Sequence, residues 1–282
     1  MNTLESTTVE EPPARVRALS CPLIMGIINV TPDSFSDGGR HSSPEAAIGL
    51  GRRMVAEGAD LLDIGGESSR PGSRPVSPDV QWQRIGPVVQ ELALIGVPLS
   101  IDTRSADVAD RALDAGARII NDVSAGTHDP LMLPLVARRG AHIVLMHMQG
   151  TPETMQQNPR YGDCVAEVRE FLLLRTLAAR STGIDRENIW IDPGIGFGKT
   201  LEHNLALLAG LEHFTETGYP VLLGLSRKSF VSQIAGGTPD ERLGGSLAAL
   251  IPALEAGVYA VRVHDVRDTC QFFAVAARLG RA

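Results

Sequence analysis

Eight short runs, apolar on both faces and each followed by a helical pattern, constrain this chain more than anything else in it. The runs are PLIMGIIN (22–29), DLLDIG (60–65), VPLSID (97–102), ARIIND (117–122), AHIVLMH (141–147), NIWID (188–192), YPVLLG (219–224) and YAVRVH (259–264). Apolar periodicity and end signals predict helices over 43–57, 78–95, 105–115, 130–139, 162–182, 202–210, 227–235, 240–256 and 266–280. A strand without a polar face must be covered on both sides, as strands are in a parallel sheet flanked by helices. Eight such units in order predict an α/β fold, a (β/α)8 TIM barrel, with an open doubly wound sheet as the alternative.

Such a barrel takes roughly 250 residues as one domain, so 282 residues accommodate a single barrel domain over 21–282. Residues 1–20 carry several acids and a Pro pair and no apolar run, which predicts a disordered tail and no signal peptide. Hydrophobic residues make up 43% of the chain but aromatic residues only 4%, so the core must be largely aliphatic. The formal net charge of −7, with no basic run, argues against a nucleic-acid partner, whose phosphates need clustered Lys and Arg. No apolar stretch reaches the roughly 18 residues of a membrane span. Cys21, Cys164 and Cys270 are spaced too irregularly for a metal motif or a disulfide framework, and predict a cytoplasmic location.

The downstream ends of the runs carry the chemistry. In order they present Asn29, Asp63, Asp102, Asn121, His147, Asp192, Ser226 to Lys228, and Arg262 with His264. Any one of these reads as a cap, but buried strands ending so regularly in polar groups would strand them unless they converge. In a barrel all eight ends open on one face, where the active site lies. Asp102, Asp192 and Asn121 can accept from the ring N–H and exocyclic amine of a flat amino-oxo heterocycle such as a pterin. Lys228 can donate to its other edge. Arg262 and His264, either side of Val263, can serve an anion or stack on the ring. Asn29, beside Asp33 and Asp37, could ligate Mg2+. Residue types alone stop at a flat polar heterocycle plus an anion.

The segments MGIINVTPDSFSDGG (25–39), DIGGESSRPGS (63–73), SIDT (100–103), INDVSAG (120–126), LMHMQGTPETMQ (145–156), DPGIGFGK (192–199), GLSRKSF (224–230) and VRVHDVRDT (261–269) resemble, in the same order, those of the dihydropteroate synthase family of pterin-binding enzymes. The resemblance runs from about residue 22 to the C-terminus. It implies a transferase of folate biosynthesis in which the amine of p-aminobenzoate displaces pyrophosphate from 6-hydroxymethyl-7,8-dihydropterin pyrophosphate. Carried over, Asp102, Asn121, Asp192 and Lys228 hold the pterin, Asn29 ligates Mg2+, Ser69, Arg70, Arg262 and His264 bind the pyrophosphate, and Val263 is also counted among the substrate-binding residues. Lys228, Asp102 and Arg262 are the residues expected to carry catalysis. Phe35 and Ser229, with the segment near Pro71, form the p-aminobenzoate pocket and its sulfonamide-sensitive rim. The loops 30–40 and 65–77 close over the site, and the family is usually a homodimer through helices late in the barrel.

One departure stands out: the family commonly has Ser-Thr-Arg where this chain has Ser68-Ser69-Arg70, which keeps the hydroxyl and removes a methyl. Two rival readings share the barrel, a pterin-dependent methyltransferase and a catalytically silent paralogue that binds pterin pyrophosphate. GIGFGKT (194–200) imitates a P-loop, but Pro193 occupies the position where its first Gly is required. His142 is expected to be a satisfied core residue, and His128, His203 and His213 surface residues.

Overall fold

Each predicted run becomes a parallel strand, and the polar strand ends gather at one pole because all the strands run the same way. The computed structural model describes residues 21–31 and 43–280. The predicted tail, together with Asp33, Phe35 and Asp37, lies outside the described residues.

The chain runs β1 (Leu23–Asn29), α1 (Pro44–Ala56), β2 (Leu61–Gly65), α2 (Pro78–Leu92), β3 (Leu99–Asp102), α3 (Ala106–Asp114), β4 (Ile119–Asp122), α4 (Met132–Arg139), β5 (His142–Met146) and α5 (Cys164–Ser181). It continues through β6 (Ile189–Asp192), α6 (Leu201–Ala209), α7 (Glu212–Thr215), β7 (Leu222–Gly224), α8 (Ser229–Ala235), α9 (Leu243–Ala248), α10 (Leu250–Glu255), β8 (Ala260–Val263) and α11 (Val266–Arg278). The ladder order β6-β5-β4-β3-β2-β1-β8-β7 is closed by an Ile191–Val221 bridge and by Ile191 N donating to Pro220 O at 2.9 Å. The eight strands therefore make the expected barrel, nearly closed.

Local chemistry sets the boundaries. Ser43 and Ser77 cap α1 and α2 through their hydroxyls, each followed by proline at the first helical position, where a missing N–H costs nothing. Two spans differ from expectation, both because of proline. The run at 219–224 yields a strand of only three residues, since Pro220 has no N–H for the ladder. The span 240–256 breaks between α9 and α10 at Ala249, because the ring of Pro252 opposes the carbonyl four residues back.

Met25, Leu61, Ile119, Val144, Trp190, Leu222 and Ala260 fill the barrel near the strand starts, and a larger aliphatic layer packs the strands against the helices. Two residues further along, the same inward face reads Ile27, Asp63, Asn121, Met146, Asp192, Gly224 and Arg262. The register sets Gly65 beside Asn29 and Asp102, Asp102 beside Asn121, Met146 beside Asp192, and Gly224 beside Arg262. An apolar plug thus gives way to a polar layer at one level of the barrel.

Two histidines depart from expectation. His142 is only half-buried and its Nδ1 is buried without a partner, while its ring sits edge-on to Trp190. His203 is half-buried and closes a capping box at the start of α6, where its Nδ1 accepts from Thr200 N at 3.2 Å. His128 and His213 are exposed as expected.

Candidate active site

A cavity of about 450 Å3 opens at the C-terminal ends of the strands, within the size range of small-molecule sites. Asn121, Asp192, Lys228, Arg262 and His264 line it, with Ser69, Arg70 and Ser229 also on its walls. Ile27, Val123, Met146, Met155 and Phe197 supply apolar surface between the polar groups, as a flat ring with polar edges requires.

An ion-pair hub organises the floor. Arg262 Nε donates to Asp63 Oδ2 at 2.6 Å and Arg262 Nη2 to Asp102 Oδ2 at 3.1 Å. Asn121 Nδ2 donates to the same Asp63 oxygen at 3.2 Å. Asp63 is fully buried, and its other oxygen has no hydrogen-bond partner among the described residues. Burial works against the charge on Arg262, but Asp63 and Asp102 outweigh it and hold the guanidinium protonated. One guanidinium thus serves two carboxylates, so one of them is poorly compensated. Burial pushes the Asp102 carboxyl up to about 7 against the pull of Arg262, and Asp63, Glu67 and Asp122 push the same way.

A test follows from linkage. An unfolded aspartate titrates near about 3.9, whereas Asp102 in the fold titrates near 7. Between those values the folded state holds the extra proton, so this group's contribution to stability falls as pH rises through the window. Thermal unfolding of ligand-free wild type and Asp102→Asn from pH 4 to 8 is expected to show wild type losing ground to the variant until about pH 7, then a constant gap. A gap independent of pH would contradict the shifted carboxyl.

Asp192 is buried and accepts from Gly194 N at 2.7 Å; burial raises its pKa while Lys228 opposes the rise. Lys228 stands at the N-cap position of α8 without a side-chain capping bond, donates to the Ile195 carbonyl, and sits 4.5 Å from the centre of the Phe197 ring. Burial lowers its pKa to about 8, against the attraction of Asp192. The turn that delivers it places Arg227 at φ 60°, a strained conformation for a side chain of that size. Arg227 is held there by Asp265 at 2.7 Å, Asp240 at 2.9 Å and the Ser246 hydroxyl at 2.9 Å.

His264 meets the Ser226 hydroxyl at 3.0 Å through Nδ1. Burial, reinforced by Arg227 and Arg262, pushes its pKa down to about 3, so it offers a neutral imidazole to an incoming group. Ser69 and Arg70 stand on a loop tied down by Glu67, which accepts from Val76 N at 2.9 Å and pairs with Arg104 at 2.9 Å. Gly72 N donating to Pro152 O at 2.9 Å joins this loop to the one after β5.

The structure separates some residues that the sequence grouped. Asp102 lies beneath Arg262 and off the cavity wall. Val263 alternates outward and packs in the layer between sheet and helices, so its side chain has no place in the site. Phe35 lies outside the described residues. The sequence places Asp63 and Arg227 at strand ends but shows neither the pairing of Asp63 with Arg262 nor the strained turn at Arg227, and it passes over Phe197 beside Lys228. Strand parity puts Asp63 on the same inward face as Asn121; nothing local marks the strain at Arg227 or the place of Phe197.

For a divalent cation the donor chemistry fits in a limited way. A methyl in place of the Gly65 hydrogen would stand 3.4 Å from Asp102 Cβ, 3.7 Å from Asp102 Oδ2 and 3.8 Å from Asn29 Oδ1, so two hard oxygens lie near Gly65, that of Asp102 already accepting from Arg262 Nη2. Among the described residues no group of three or more His, Cys, Asp or Glu could hold a metal by itself. An ion here would complete its shell with substrate oxygens and water, as Mg2+ does in phosphate sites.

A parallel barrel with a polar, ring-sized cavity at its C-terminal face, floored by acids and an arginine, defines a heterocycle-binding barrel enzyme. Residues 25–264 match the family model described as "Pterin binding enzyme". The dihydropteroate synthase of Mycobacterium leprae is 49% identical over 253 residues, covering 86% of this chain and 88% of that one. Among solved structures, the Yersinia pestis dihydropteroate synthase in a sulfonamide drug complex superposes with a TM-score of 0.89 at 42% identity, covering 94% and 96% of the two chains. The Xanthomonas albilineans enzyme in complex with 7,8-dihydropteroate gives 0.83 at 43% identity, covering 93% and 94%. This chain belongs to the pterin-binding enzymes and, within them, to the dihydropteroate synthases, transferases of folate biosynthesis.

Proposed function

We propose that the chain joins 6-hydroxymethyl-7,8-dihydropterin pyrophosphate to p-aminobenzoate, releasing 7,8-dihydropteroate and pyrophosphate, with the pterin ring in the cavity over Arg262. The observation that carries this is the convergence of Asn121, Asp192, Lys228 and Arg262 on one ring-sized cavity. Asp192 and Asn121 take the ring N–H and amine edge, Lys228 donates to the opposite edge, and Asp102 orients Arg262 from below. Met146, Met155 and Phe197 exclude water from the faces of the ring.

Departure of pyrophosphate builds negative charge on oxygen while the pterin methylene becomes electron-poor. Ser69, Arg70 and neutral His264 supply donors where that charge collects, and the electron-rich ring stabilises the methylene. Asn29 would help hold a Mg2+ ion carried in with the substrate, which would add charge neutralisation at the phosphates. The substitution is dissociative and needs no protein nucleophile; a covalent enzyme–pterin adduct trapped by mass spectrometry would overturn that version. Phe35, Ser229 and Pro71 are assigned to the p-aminobenzoate side. The decisive experiment is pyrophosphate release with and without p-aminobenzoate and Mg2+. Release that depends on p-aminobenzoate supports the synthase, whereas pterin binding without turnover would favour the silent paralogue.

We also place the enzyme in the cytoplasm as a homodimer. The free thiols of Cys21, Cys164 and Cys270 suit a reducing compartment. Among the described residues no helix is long and apolar enough to cross a membrane. A groove of about 480 Å3 between α10 and α11 exposes Ile251, Val275 and Leu279, the last at 73%, and an apolar face of this kind suits a second copy. Val275→Asp is expected to shift the mass in solution to that of a monomer by light scattering; an unchanged dimer would put the interface elsewhere.

A further inference from the structure

One buried cation has no part in the chemistry above. Lys199 is 3% exposed, and the imitation P-loop that carries it binds no phosphate in the reading proposed here. Its Nζ lies 2.9 Å from Phe197 O, 3.0 Å from His147 Nδ1 and 3.4 Å from His147 O. All three partners are neutral groups, and among the described residues Lys199 makes no salt bridge. A buried ammonium without a carboxylate in hydrogen-bond reach is costly, and what its three bonds join suggests a role.

The geometry supplies one. His147 follows β5 and Phe197 follows β6, so the lysine stitches the end of one strand to the glycine-rich loop after the next. That loop approaches its neighbour with no room to spare: a Cβ on Gly198 would stand 2.7 Å from Gln149 O, and Gly198 sits at φ 62°. Other bonds hold it elsewhere, Gln156 Nε2 to Gly196 O at 2.9 Å and the Tyr161 hydroxyl to Gly198 O at 2.8 Å. Lys199 fixes the residue between them, Phe197, whose ring faces Lys228 at 4.5 Å, and the same loop offers Lys228 the Ile195 carbonyl.

We propose that Lys199 is a positioning residue that clamps the glycine-rich loop to the end of β5 and so sets Phe197 and the Ile195 carbonyl against the ring-binding Lys228. The clamp rests on the pterin reading only for the identity of the ligand. The groups that act on Lys199 are His147, Cys164 at the start of α5, Asp192 and Lys228. Burial is the largest influence and lowers its pKa to about 7, with Cys164 and Asp192 opposing and Lys228 reinforcing. His147 is held neutral, mainly by burial.

The test is Lys199→Met in the full-length protein, measured in three ways. Hydrogen exchange of ligand-free protein is expected to quicken in 193–200 and not in β8. The Kd of the pterin substrate is expected to rise about tenfold, the low end for loss of an orienting partner, while the KM of p-aminobenzoate stays within about twofold. The wild type is expected to gain thermal stability relative to the variant between pH 7 and 10, because the unfolded lysine keeps a proton that the buried one has lost. Unchanged exchange in 193–200, or equal loss for both substrates, would overturn the clamp. Quickened exchange in a protein whose wild type binds no pterin would overturn the ligand assignment and leave the clamp standing. Should Lys199→Met not fold, Lys199→Gln, which retains one donor group, is expected to show the same pattern at smaller size, and wild-type exchange and Kd in it would overturn the proposal.

Discussion

Replacing Arg262 with alanine is expected to cost the fold several kcal/mol as well as turnover. The guanidinium bonds the fully buried Asp63 at 2.6 Å and Asp102 at 3.1 Å, and it is the cation paired with both. Removing one member of a buried pair costs on the order of 3–5 kcal/mol, chiefly because the surviving charge is left in a medium that cannot solvate it. Here two carboxylates would be abandoned together, Asn121 being the remaining donor to Asp63. Arg262→Met, which restores packing but no charge, should destabilise nearly as much as alanine. The double change Asp63→Asn with Arg262→Met should recover a good part of the loss, since fewer charges remain stranded. Denaturant unfolding measures all three, and an Arg262→Ala protein within about 1 kcal/mol of wild type, the scale of a surface pair, would show that water already compensates the hub. Comparing a pterin that lacks the pyrophosphate then separates the ring from the leaving group: loss confined to the pyrophosphate-bearing substrate would move Arg262 from the floor of the ring to the phosphates.

Lys228→Met should do the opposite, leaving stability close to wild type while removing pterin binding. Lys228 bonds a backbone carbonyl and lies over Phe197; methionine keeps most of that packing. Its Nζ is the cation that most strongly opposes the rise of the Asp192 carboxyl. Without it Asp192 takes up a proton more readily and loses acceptor capacity toward the ring N–H, so both ring edges suffer from one substitution. A loss of at least about 100-fold in pterin affinity is expected, the scale for truncating one partner of a desolvated charged contact. The affinity of Lys228→Met should also improve as pH rises and Asp192 ionises. Calorimetric titration of pterin into the two proteins across pH 6 to 9 decides it, and wild-type affinity in the variant would remove Lys228 from the ring site.

How much of this was legible beforehand depends on the range of the interaction concerned. A short apolar run that turns polar at its end is a property of neighbours in the chain, so the eight strands, the barrel and the polar mouth could be read from runs such as Ile27 to Asn29 or Ile119 to Asn121 without coordinates. Proline acts just as locally, yet its effects at Pro220 and Pro252 are to shorten a strand and split a helix, which periodicity alone smooths over. Alternation along the strand should have removed Val263, which faces outward because Arg262 faces in.

The pairings are another matter. That Arg262 spends its charge on Asp63 and Asp102, partners 199 and 160 residues away, is fixed by the stagger of eight strands around the barrel. Lys199 likewise looks like part of a phosphate loop until β5 and β6 bring His147 within 3.0 Å. Sequence by itself determined that polar residues gather at the strand ends, because an apolar run and its polar end are read one residue at a time. Only the tertiary structure decided which charges compensate one another, because Coulombic and hydrogen-bonding partners are chosen by distance in space, and burial sets how strongly that choice is felt.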